Sequence, residues 1–89
     1  SNVVLTDPDR EAVEQLLVDV KEKTGELNLS YNIMNEFVID IKTIEVQLLS
    51  EKPKTAVVRE LFISIYQNLK TDGPESLKDP LAAMTGIRP

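Results

Sequence analysis

The chain reads as all-α: an antiparallel three-helix bundle built on a long helical hairpin, with a short fourth helical segment. Three observations predict this. Met34, Phe37, Ile41, Ile44 and Leu48 recur at alternating gaps of three and four, which places them on one face of a helix and would scatter them over both faces of a strand. Comparable apolar stripes lie before and after this segment. Links containing Gly or Pro separate the three.

Residues 1–6 form a short lead in which Val3, Val4 and Leu5 are available for packing. Asp7-Pro8 is a helix start, because Asp caps and Pro is tolerated in the first helical turn, and Asp9 and Glu11 suit the positive end of the helix dipole. Val13, Leu16, Leu17 and Val20 then follow the i, i+3, i+4, i+7 pattern, and Gly25 is a natural stop, so the first helix is expected over 8–24. Ser30 is the expected cap of the second helix, which runs to Leu49 or Ser50. At about 100° per residue, Ile33, Met34, Phe37, Val38, Ile41, Ile44, Leu48 and Leu49 share one broad face. Dense β-branching in 37–46 admits a strand, but the helical period continues beyond that window.

Pro53 or Lys54 is the expected start of the third helix, with Val58, Leu61, Phe62, Ile65, Tyr66 and Leu69 as its stripe and Asp72-Gly73-Pro74 as its end. In the tail, Asp79, Pro80, Leu81, Met84 and Gly86 mark the short fourth segment. The expected organisation is a single helical domain over 1–89, with 1–7 as a lead or tag remnant and 72–89 as a partly irregular tail. Ser1-Asn2 in place of Met reads as the scar of a cleaved tag.

Composition narrows the function. Eighty-nine residues suit one small domain, and an apolar fraction of 42% is that of a globular chain. With four aromatics and no Trp, aliphatic side chains must build the core. With no Cys and no His, disulfides and the usual zinc sites are excluded, and a core this small points to association with a partner. A net charge of −5 disfavours nucleic acid. No apolar run approaches the roughly 20 residues of a membrane span, and the absence of Cys fits the cytoplasm.

Two features stand out on the second helix. Ile39 and Val46 sit seven apart and nearly opposite the main stripe, which makes them the candidate interface with a protein partner or with a second copy, as in a homodimer. Scattered exposed aliphatics, or a first helix packed on that side, are the alternatives. Glu45 falls within the apolar face and Arg59 at the edge of the third stripe, so a structural ion pair across the hairpin is expected. Lys52, Lys54 and Arg59 gather at the start of the third helix; the expectation is that Glu51, Glu60 and water neutralise them, the alternative a site for an anion or an acidic partner. Glu11, Glu14, Asp19, Glu22 and Glu26 make the first helix acidic, as a solvated face or as a surface toward a basic partner. No glycine-rich phosphate loop, nucleophile elbow or metal-spaced set is present, so no catalytic, cofactor-binding or metal-ligating residue is assigned.

The run from Asp40 through Leu48, then Ser50, Lys52-Pro53 and Val57-Val58-Arg59-Glu60, resembles a small helical module near the C-termini of uncharacterised bacterial proteins, some of them linked to phage defence. The resemblance covers residues 40–69 and implies an accessory or oligomerisation role with no catalytic residue. The tail after Thr71 departs from the Gly/Ala-rich ending of that group. Residues 7–12 look like a helix start of the all-helical chorismate mutases, but the inward positions here are aliphatic where those enzymes need Arg and Lys. Size and acidity are similar to those of small bacteriocin-immunity bundles. The expected function is therefore a non-enzymatic interaction or oligomerisation domain of a bacterial protein. The alternative is a small acidic immunity protein or antitoxin that inhibits a basic partner.

Overall fold

The computed structural model of the chain describes residues 3–69. It is all-helical, with α1 at Asp7–Gly25, α2 at Tyr31–Leu48 and α3 at Thr55–Leu69. The expected end of the third helix at Asp72 and the fourth segment lie outside the described residues.

Each helix starts and stops for a local reason. α1 is capped by Thr6, one residue earlier than the sequence suggests: its Oγ1 accepts from the Asp9 N–H at 3.3 Å, and Asp7 and Pro8 become the first turn. At the other end Gly25 is the last helical residue and not a left-handed stop, since no described residue has a positive φ. The helix closes instead with tightened bonds from Glu26 N–H to the Lys23 carbonyl and from Leu27 N–H to that of Thr24. The buried Thr24 hydroxyl donates back to the Val20 carbonyl at 2.7 Å. Ser30 caps α2 as expected, accepting from the Ile33 N–H.

α3 begins at Thr55, later than Pro53 or Lys54, because the backbone of 53–55 is already engaged. Leu5 N–H donates to the Pro53 carbonyl at 2.9 Å and Thr55 N–H to the Val3 carbonyl at 3.1 Å, a short antiparallel bridge between the lead and the α2–α3 link. Lys54 N–H is taken by Gln47 Oε1 of α2 at 2.9 Å. Only from Thr55 onward is the chain free to wind.

α2 and α3 form a closely packed antiparallel hairpin. Ser64 Oγ on α3 donates to the buried Asp40 carboxylate on α2 at 2.7 Å, and Gln47, one heptad further along α2, reaches the link before α3. α1 lies on another side of α2. Its first turn is fastened to the end of α2 by Arg10, whose guanidinium donates to the Leu48 carbonyl at 2.6 Å and the Ser50 carbonyl at 3.3 Å. These are carbonyls that a helix end leaves without partners, so Arg10 caps α2 from a distance. The core joins all three helices and the lead: Leu5, Val13, Leu16, Leu17, Val20, Phe37, Ile41, Ile44, Val58, Phe62, Ile65 and Leu69 are buried together.

Two stability outcomes follow. Phe62 is fully buried, so Phe62→Ala should cost about 3–5 kcal/mol, a large part of the roughly 5–15 kcal/mol that holds a domain; urea unfolding followed by circular dichroism measures it. Gly25 is helical and a Cβ there would meet nothing within 4 Å, so Gly25→Ala should leave stability unchanged or raise it by up to about 1 kcal/mol. A loss would show that the glycine is needed for the turn.

Candidate functional site

Seen down its axis, α2 presents three surfaces. One flank carries Asp40 and Gln47 and meets α3. A second carries Met34, Ile41 and Glu45 and meets the last turns of α1. Phe37 and Ile44 fill the core between them. The remaining surface faces outward. Within an arc of about 100° it holds Tyr31, Asn35, Val38, Ile39, Lys42, Val46 and Leu49.

Ile39 and Val46 are exposed, at 49% and 66%. α1 does not cover them, since it packs on the Met34 and Glu45 flank. Three further apolar residues share their face: Tyr31, Leu49 and Val38, exposed at 83%, 85% and 42%. The sequence pattern puts Val38 and Leu49 on the same broad face as Phe37 and Ile44, whereas the structure leaves both exposed. The difference has a geometric cause. Val38 sits at the margin of the arc, where α1 leaves it partly open, and Leu49 follows the last helical residue, where neither neighbouring helix covers it. Tyr31 was missed because it stands in the first turn, before the periodic stripe begins.

Among the described ion pairs Glu45 is not joined to Arg59, the partner expected from the sequence. Glu45 instead accepts from Lys21 Nζ of α1 at 2.6 Å, and Arg59 lies 3.9 Å from Glu60 of its own helix. Glu45 points to the α1 flank, whereas the α3 contacts of α2 lie about 140° around the axis at Asp40. A stripe read from the sequence does not say which of two neighbouring helices takes which edge. With both side chains of the Lys21 and Glu45 pair near half exposed, its contribution is below about 1 kcal/mol.

The Lys21 and Glu45 pair closes one side of a cleft of about 280 Å³ between α1 and α2, lined at its floor by Met34, Phe37, Val38 and Ile41. Thr24 and Gly25 form the α1 wall, and Lys42 stands at the rim. The cleft opens beside the outer face and shares Val38 and Lys42 with it.

Ser64 and Asp40 are the one serine–carboxylate contact among the described hydrogen bonds. Asp40 is buried in the hairpin, and the contact joins α2 to α3. Among the described residues no three His, Cys, Asp or Glu side chains converge as a metal site, and no helix is long and apolar enough to cross a membrane. The acidic positions Glu11, Glu14 and Glu22 of α1 are exposed, as are Lys52 and Lys54 of the link.

Comparison with protein-family models, with curated proteins and with solved structures finds no match.

A double-mutant cycle on Glu45→Ala and Arg59→Ala should give a coupling energy near zero, and one on Lys21→Ala and Glu45→Ala a coupling of about 0.2–1 kcal/mol. Ser64→Ala should cost about 1–3 kcal/mol, because it leaves the buried Asp40 carboxylate without its hydroxyl donor. Thermal unfolding of the single and double variants checks all three values.

Proposed function

We propose that this chain is a non-enzymatic helical interaction domain, an antiparallel three-helix bundle that docks a protein through the outer face of α2. One observation carries the reading: five exposed apolar side chains, Tyr31, Val38, Ile39, Val46 and Leu49, line the full length of α2 with a single charge, Lys42, among them. Single exposed aliphatics are ordinary on any surface, but five apolar side chains gathered on one helix face, with only Asn35 and Lys42 among them, are the mark of a docking surface. Helix faces of this kind accept an amphipathic helix or a hydrophobic groove. The two flanks of α2 hold the fold together, so the third is available to a partner.

The exposed acids of α1 support the competing reading of an inhibitor that engages a basic target. The two readings place the partner on different helices. A photo-activated benzophenone side chain introduced at Ile39 or Val46, with the protein expressed in its native host, should give discrete cross-linked protein adducts, and one at Glu14 of α1 should give none. Adducts at Glu14 alone would transfer the docking role to the acidic face.

A further inference from the structure

We infer that the partner of the α2 face is a second copy of this chain, held in a two-fold symmetric pair. This rests on the interaction-domain reading above and names its occupant. In a two-fold pair the same patch is used twice, so a patch rich in one sign of charge meets that same sign across the axis. A surface rich in one sign repels itself. The chain carries a net charge of −5 with 28% of its residues charged, and the outward side of α1 shows what such a surface looks like, with Glu11, Glu14 and Glu22 exposed together. The α2 face is the exception. Its one charge, Lys42, has a long apolar stem that can lie on a neighbouring aliphatic surface with the ammonium at the edge.

Shape points the same way. The two most exposed apolar side chains, Tyr31 and Leu49, stand at opposite ends of the face, and the cleft lined by Met34, Phe37, Val38 and Ile41 opens beside it between them. The chain thus carries both projecting side chains and an apolar hollow on one helix, as a self-complementary surface requires. Size is also sufficient. An α2 of 18 residues spans about 27 Å at 1.5 Å per residue. Two such faces packed along their length, with the cleft included, reach the total of about 1,000 Å² that marks the lower end of specific interfaces. The strength of such a pair is set by how well its central side chains fit and not by its area.

Sedimentation equilibrium of the full chain, from about 10 μM to about 1 mM, tests this. The apparent mass should climb from the 10.0 kDa of one chain toward twice that value. Ile39→Glu and Val46→Glu should each weaken the pair by about tenfold or more, and Leu49→Ser, at the end of the helix where the fold has least to lose, should weaken it as well. Val18→Glu, at an exposed position of α1, should leave it unchanged. Circular dichroism should show the same helix content in all four. Raising the salt concentration should leave the association unchanged or tighten it, because an apolar contact is not screened. A monomer at every concentration, a pair untouched by the substitutions on α2, or an association that salt dissolves would each overturn the inference. A monomer that still cross-links through Ile39 to another protein removes the second copy and leaves the interaction domain standing. The loss of both signals removes both.

Discussion

The apolar arc of α2 is wider than any single neighbouring helix covers, and the rest of the structure follows from that. α3 packs at the edge marked by Asp40 and Gln47, α1 at the edge marked by Met34 and Glu45, and Phe37 and Ile44 are buried between them. Neither α1 nor α3 could make a stable partner for α2 alone, since each leaves one edge of the arc in water. The core is consequently one cluster shared by all three helices and the lead. With only aliphatic side chains and two phenylalanines to fill it, that core depends on close fit more than on the large areas that aromatic residues supply.

Apolar packing says little about register, and a small number of polar groups supply it. Asp40 with Ser64 sets α2 against α3, Gln47 holds the backbone of the link, and Arg10 ties the start of α1 to the end of α2. Each of these satisfies a group that would otherwise be buried or left at a helix end without a partner. Among the described residues no buried side-chain nitrogen or oxygen is without one. The polar contacts therefore select one arrangement among the several that three greasy helices could adopt.

The helices were legible in the sequence because their signals are local. The 3.6-residue period of Phe37, Ile41, Ile44 and Leu48, the Ser30 cap and the Pro-containing link act within a few residues of where they are read. The outward position of Ile39 and Val46 was legible for the same reason. What the sequence did not reveal depends on residues far apart in the chain. Glu45 could be placed on the apolar stripe but not assigned to Lys21 over Arg59, because that choice is made by where α1 docks. Arg10 gave no sign of capping a helix that ends 38 positions later. Val38 and Leu49 were read as interior because periodicity gives direction around an axis and does not say how far a neighbouring helix extends over it.

The bridge between the lead and the α2–α3 link carries a kinetic consequence. The hairpin joins segments that are close in sequence and loses little chain entropy on closing. The pairing of Val4 with Lys54 closes a loop of fifty residues, and α1 lies inside that loop. Distant pairings of this kind slow folding. The α2–α3 hairpin therefore closes at a smaller loss of chain entropy than the pairing that fastens the lead to the link.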